Sequence, residues 1–257
     1  MAELERRFGK MRQCLRRTRI VLAVAVLFGV FVCSASALDA PCEDCGPGDH
    51  WVDQCPGGLD QIEDQGALIG IDMDLDCEED VSLVMFPCLD IPPLTIGRSS
   101  PLDDSMNFPG LRSIDGHLDV IDTEIIEMCL AGGGFTLTAG AGHGQGGVLA
   151  PSLGAIAELV AAPDLAESFF DVYFEVEIPG EVFLYNQSPL RLATEIYCVP
   201  PDEAAYLHPT DCIPLYTSPF VGQGEHVANL TRAEHLVNPG PAPVEESSWG
   251  VIKALYR

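Results

Sequence analysis

Three cysteines and one histidine near the start of the chain have the spacing of a zinc knuckle. They are Cys42, Cys45, His50 and Cys55, in the pattern C-x2-C-x4-H-x4-C. Three thiolates and one imidazole complete a tetrahedral zinc site. However, no Lys or Arg occurs between residues 38 and 96 to hold a nucleic acid, and zinc requires reduced thiols. We therefore predict disulfides at these cysteines, with structural zinc as the alternative.

Two acidic segments carry oxygen ligands at spacings that suit calcium. In the first, the acids alternate with apolar residues, which predicts a strand that points three carboxylates at solvent. Neighbouring carboxylates on one strand face repel one another, and a bound cation relieves that repulsion. Neither segment matches the EF-hand pattern, so calcium at either is a hypothesis based on charge alone. The two sets are Asp72, Asp74 and Asp76, and Asp115, Asp119 and Asp122.

The chain offers little material for nucleophilic catalysis. Ser152 lacks the first glycine of a nucleophile elbow, and no H-E-x-x-H motif occurs. We therefore predict an exported, non-enzymatic structural or binding module of unknown ligand, with calcium as a stabilising ion. The alternative is a secreted carbohydrate-active hydrolase that uses paired carboxylates from the acidic segments.

The net charge excludes several classes of partner. Of the 13 Lys+Arg and 39 Asp+Glu in the 257 residues, residues 38–257 carry 6 and 37, a net charge of −31. Such a surface repels phosphate backbones and anionic lipid headgroups, so we predict no nucleic-acid or membrane-surface binding. A hydrophobic content of 47% argues against intrinsic disorder. A glycan or another component of the cell envelope is the partner class that stays open.

Residues 1–37 are typical of an export signal. Seven basic residues precede an apolar run at residues 20–32, which is shorter than the ~20 residues that span a bilayer as a helix. Ala35-Ser36-Ala37 then supplies an A-x-A cleavage site. We predict a secreted, periplasmic or cell-surface protein with no membrane insertion after cleavage.

Eight cysteines follow the predicted cleavage site, and an even number in an exported chain favours disulfides. The sequence alone does not give their pairing. We predict one bridge between Cys198 and Cys212, because it would close the Pro-rich loop between them.

The elements that position these residues are short strands. From residue 67 onward, runs of β-branched and aromatic residues are separated by Gly and Pro clusters, which predicts an all-β fold. We expect an antiparallel β-sandwich of about ten strands, stapled by disulfides, with at most one short helix. Pro151 and the spacing of apolar residues predict that helix at residues 152–162. A strand is the alternative there, because Gly154 disfavours a helix.

Composition divides the chain into four parts. Residues 1–37 form the signal, 38–66 a Cys-rich N-terminal module, and 67–238 the β-sandwich body. Residues 239–257 form a Pro-rich linker and a C-terminal segment, which is either a final edge strand or a sorting segment.

Residues 168–179, with the sequence SFFDVYFEVEIP, are followed by Leu184-Tyr-Asn186 and Pro189-Leu190. These residues resemble a loosely defined group of exported bacterial proteins of unknown function. In that group an S-F-F-D-V-x-F-E-V run precedes a short turn and an L-x-N-x-x-P segment, and some members carry a PEP-CTERM tail. Residues 119–127, with D-T-E-I, also match. The resemblance implies an exported bacterial β protein and brings no activity with it. The chain lacks the Pro-Glu-Pro tail, so no shared anchoring is implied.

Overall fold

The computed structural model describes residues 45–89, 91, 94–113, 117–180, 182–208 and 212–238. The predicted signal, Cys42, Asp115 and residues 239–257 lie outside these described residues.

The predicted all-β antiparallel fold is confirmed: the described residues form a 14-stranded sheet and a 3-10 helix at Trp51–Gln54. The described part of the chain has no helix long and apolar enough to cross a membrane. The strands are β1 (Gly58–Ile62), β2 (Gln65–Asp72), β3 (Val81–Pro87), β4 (Leu94–Arg98), β5 (Val120–Gly132), β6 (Phe135–Ala139), β7 (Ser152–Leu159), β8 (Ala162–Val172), β9 (Phe174–Ile178), β10 (Val182–Asn186), β11 (Leu190–Ile196), β12 (Ala204–Leu207), β13 (Ile213–Tyr216) and β14 (His226–Val237).

Alternation of apolar and polar residues produces the clearest strands, β8 and β9. The alternating run is divided into these two strands at Tyr173, whose N–H donates to Ser152 Oγ at 3.0 Å. The next N–H, of Phe174, donates to Asn186 Oδ1 at 2.8 Å. The apolar face nevertheless stays continuous on both sides of the break. Its buried residues are Phe170, Val172, Phe174, Val176 and Ile178.

The sheet closes on itself. Following the pairings from β5 through β6, β9, β10, β13, β14, β2 and β3 leads back to β5. The opposite walls of this closed sheet are the two layers that the sequence predicts to pack face to face. Strand β5 also pairs with β7 and β4, and β4 carries β1. One apolar core therefore fills the interior.

The helix predicted at residues 152–162 is wrong, and the strand alternative is correct. These residues form β7 and the turn that leads into β8. Strand β7 lies between β5 and β8, and Gly154 pairs with Thr123 on one side and Phe170 on the other. A Cβ at Gly154 would collide with the carbonyl oxygen of Phe169. Pairing on both edges outweighs the helical spacing of a few apolar residues.

The Cys-rich segment packs directly on the body. Trp51 and Val52, in the 3-10 helix, are buried and belong to the same core as the strands. The N–H of His50 donates to the carbonyl oxygen of Pro163 at 2.9 Å, which ties the segment to the β7–β8 turn. The backbone of Cys45 pairs with that of Val199 in an isolated antiparallel β-bridge. The segment is thus part of the wall around the interior.

Three disulfides have both cysteines in the described residues, and Cys198 is also disulfide-bonded. The prediction of a Cys198–Cys212 bridge is wrong, because Cys212 bonds to Cys77 instead. Closeness along the sequence was a poor guide to which cysteines meet in space, because Cys77 and Cys212 are 135 residues apart. Bridges of this kind indicate an oxidising compartment. The three bridges are Cys45–Cys55, Cys77–Cys212 and Cys88–Cys129.

Removing the Cys77–Cys212 bridge should cost more stability than removing Cys88–Cys129. The first spans 135 residues and the second 41. In the chain-entropy model their losses are about 5 and about 4 kcal/mol, because the longer loop restricts the unfolded chain more. Urea unfolding of the Cys77→Ser/Cys212→Ser and Cys88→Ser/Cys129→Ser pairs measures both losses. A larger loss for the second pair would contradict this ranking.

Candidate functional site

The interior of the closed sheet contains two adjoining apolar cavities. They are small, with volumes of about 20 and about 30 Å³, and their walls are almost entirely carbon. Both are lined by Met128, Val172, Leu192 and His235, so these four side chains form the partition between them. Further wall residues of the first cavity include Ile62, Leu94, Ile96, Ile125, Phe170 and Tyr206. Those of the second include Ala67, Ile69, Leu130, Leu137, Phe174 and Ala233.

His235 is a polar group at the partition between the cavities. Its Nε2 lies 2.9 Å from Gln65 Oε1, so the neutral ring donates a hydrogen bond to that amide oxygen. Burial lowers the pKa of His235 to about 4, because the charged imidazolium loses its hydration there. At neutral pH the ring is therefore uncharged.

Tyr206 supplies a second polar group in the wall of the first cavity. Its hydroxyl lies 2.8 Å from Ser168 Oγ. Burial raises the pKa of Tyr206 to about 12, and the negative charge of Asp60 adds to the rise. Asp60 is held by the buried Arg98 guanidinium, whose Nε lies 2.8 Å from Asp60 Oδ2. The phenol stays protonated, and the Arg98 charge is balanced by Asp60.

The first acidic segment is a loop instead of a solvent-facing strand. Strand β2 ends at Asp72, which is 0% exposed and accepts hydrogen bonds from three backbone N–H groups and from Asn229 Nδ2. Burial acts to raise the pKa of Asp72, but these hydrogen bonds outweigh it and hold the pKa below its usual value. Asp74 and Asp80 lie close enough to share an ion with Asp72.

The predicted repulsion between these acids is present at Asp74. Partial desolvation and the charges of Asp76, Asp80 and Asp72 raise the pKa of the Asp74 carboxyl. Asp72 nevertheless stabilises the loop without an ion, because its oxygens already accept hydrogen bonds. Calcium at this loop stays a prediction.

The second acidic segment does not form one site. Asp122, on β5, accepts hydrogen bonds from Ser105 Oγ and the Met106 N–H, and so anchors the loop before it. Asp119 precedes β5 and accepts a hydrogen bond from Ser113 Oγ at 2.9 Å. The two carboxylates therefore serve different loops, and Asp115 is outside the described residues. The structure does not bring Asp119 and Asp122 together as ligands of one ion. Calcium at this segment stays a prediction.

The predicted zinc ligands separate in the same way. Cys45 and Cys55 are bonded to each other, as the preferred interpretation expects, and a disulfide sulfur is not a thiolate ligand. His50 faces Glu158 instead, with Nδ1 2.7 Å from Oε1. Asp119 is within reach of both. The structure thus brings together two predicted site residues from different motifs.

Sequence reasoning missed Glu158, Tyr206 and His235. Glu158 falls in the segment predicted as a helix, whereas β7 pairs with β5 and β8 instead. Tyr206 and His235 occur in ordinary strands, and alternation alone shows that a residue is buried but not that it lines a cavity. No sequence motif marks either residue.

Comparisons with known proteins give the fold but no family. No protein-family model and no curated protein matches the chain. The solved structure of DynF, from the dynemicin biosynthesis pathway of Micromonospora chersina, is similar, with a TM-score of 0.54 and 18% identity. The match covers 85% of this chain and 96% of DynF. Similarity at this level of identity concerns the fold alone.

We expect His235 to make the protein sensitive to acid. Its native pKa lies below the unfolded value, so the unfolded chain binds more protons as the pH falls from about 6.5 towards 4. By pH 4 the wild type should lose about 3 kcal/mol more unfolding free energy than His235→Gln, relative to pH 7. Urea unfolding at the two pH values measures this difference. Equal losses in both proteins would mean that the pKa of His235 is the same in the native and the unfolded chain.

Proposed function

We propose that this protein is an exported binding protein that holds a small, uncharged and largely apolar molecule inside its closed sheet. The observation that carries the proposal is the pair of adjoining apolar cavities divided by Met128, Val172, Leu192 and His235.

The chemistry of the cavity walls supports this function. Ligand sites in proteins commonly have apolar walls and a few polar groups that orient the ligand. At about 20 and about 30 Å³ the two cavities are smaller than the usual range of about 300–1,000 Å³, so a ligand enters when the flexible side chain of Met128 and its neighbours in the partition move aside. Here the neutral ring of His235 and the protonated phenol of Tyr206 are the polar groups in the walls. Together the two cavities suit a molecule with one or two polar atoms.

Charge argues for an uncharged ligand. The chain carries a large excess of acidic residues, and Arg98, the buried cation near Tyr206, is paired with Asp60. An anion would therefore lose its hydration without gaining a counter-ion. A cation would face the same cost, because Glu234, in the wall of the second cavity, is already paired with Arg232.

The similarity to DynF, a protein of the dynemicin biosynthesis pathway, concerns the fold alone. The ligand proposed here is inferred from the cavities of this chain alone.

The predicted export and envelope location are consistent with the disulfides, which require oxidising conditions. We propose the same location for the binding function. A glycan or other envelope partner for the acidic outer surface stays part of the proposal.

The alternative of a carbohydrate-active hydrolase is less well supported. Asp119 and Glu158 do converge, but the first is 6% exposed and the Glu158 side chain 2%. A glycosidase needs its two carboxyls on either side of a sugar in an open cleft. Their burial below His50 leaves no such cleft in the described residues.

The test is binding of an apolar fluorescent probe, N-phenyl-1-naphthylamine, to the disulfide-intact protein. We expect saturable binding at one site in the wild type. Val172→Phe, which fills the partition, should weaken binding by about tenfold or more, at a cost of about 1–3 kcal/mol in stability from overpacking. Ala233→Leu fills the second cavity from another strand and should act in the same direction.

Leu207→Phe is the matched control, because Leu207 is 52% exposed on the outer face of β12. It should bind the probe as the wild type does. Unsaturable binding, or equal binding by Val172→Phe and Ala233→Leu when both are folded, would overturn the proposal.

A further inference from the structure

We infer that His50, Asp119 and Glu158 bind one divalent transition-metal ion, with zinc as the ion that suits them best. This inference concerns the place where the Cys-rich segment meets the start of β5 and the end of β7, and it does not depend on the interior cavities.

Three separate elements bring the ligands together. His50 lies immediately before the 3-10 helix, Asp119 immediately before β5, and Glu158 near the end of β7. One ligand atom from each lies within 4.8 Å of the other two. Ligands at about 2.0–2.2 Å from a zinc ion stand roughly 3–3.5 Å from one another, so small side-chain movements suffice to close the site.

Charge and burial favour an ion at this place. The carboxylates of Asp119 and Glu158 are both almost fully buried. Two like charges that meet in a medium of low dielectric constant repel strongly. A divalent ion bound between them offsets both charges.

Neighbouring groups hold the ligands in place. Ser113 Oγ donates to Asp119 Oδ2 at 2.9 Å, and the N–H of Glu158 donates to the carbonyl oxygen of Asp119, also at 2.9 Å. The His50 ring stacks on His117, with centroids 4.2 Å apart and planes 13° from parallel. His117 Nδ1 in turn lies 2.8 Å from Asp53 Oδ2. Outer contacts of this kind fix the orientation of metal ligands.

The donor set selects the ion. Calcium takes six to eight oxygen ligands, but one imidazole and two carboxylates are a common set for zinc and its neighbours among the transition metals. The side chain of His50 is 33% exposed, which leaves room for water to complete the coordination. The ion would thus use the histidine of the predicted knuckle with oxygen ligands instead of thiolates.

Cobalt(II) titration of the disulfide-intact chain tests the inference, because cobalt reports its ligands through its absorption spectrum. We expect one equivalent to bind, with visible d–d bands and no thiolate-to-cobalt charge-transfer band. His50→Ala and the near-isosteric Glu158→Gln should each weaken binding by at least about tenfold, as should Ser113→Ala through the orientation of Asp119.

His143→Ala is the matched control, since His143 is 34% exposed and lies 3.8 Å from Glu127 without a third ligand in the described residues. It should bind cobalt as the wild type does. A thiolate charge-transfer band would assign the metal to the cysteines and overturn the inference. Absence of binding at micromolar cobalt, or binding that survives His50→Ala, would overturn it equally, and His50 is exposed enough for that variant to fold.

Discussion

The rest of the structure depends on one strand, β5, which hydrogen-bonds to four others. Its first half pairs with β4 and β7, and its second half with β3 and β6. Because these neighbours lead around the sheet and back to β5, the sheet has a closed interior. Alternate side chains of every strand must then fill that interior, and Met128, at the middle of β5, lines both cavities. The two cavities are the space that the inward-pointing side chains leave unfilled.

Strand β5 connects the two inferred sites. It contributes Ile125 and Met128 to the interior, and the residue just before it, Asp119, belongs to the cluster with His50. A metal ion would fasten the Cys-rich segment to β5 and β7, next to the 3-10 helix whose Trp51 packs into the core.

Much of the fold follows from alternation along the sequence, as the buried face of β8 and β9 shows. Alternation fails at Asp72, because it gives no information about where hydrogen bonding to a neighbouring strand stops. It fails also at Gly154, where pairing with two strands is a property of the whole fold. For the same reason the partners of Cys212 and of His50 were not predictable: each meets a residue more than 100 positions away.

The first residue of β2 and the last residue of β14 are paired neighbours, and this determines how the sheet would respond to tension between them. Strands β2 and β14 run antiparallel, with Gln65 opposite Val237 and Asp72 opposite Asn229. A pull applied to Gln65 and Val237 would load these hydrogen bonds one after another, as in a zipper, instead of all at once. The peeling would stop at the Cys77–Cys212 bond, which takes up the force covalently. Strands β5 to β11, which lie between these two cysteines along the chain and carry Val172 of the partition, would remain unloaded behind it, whereas His235, on β14, lies on the loaded path.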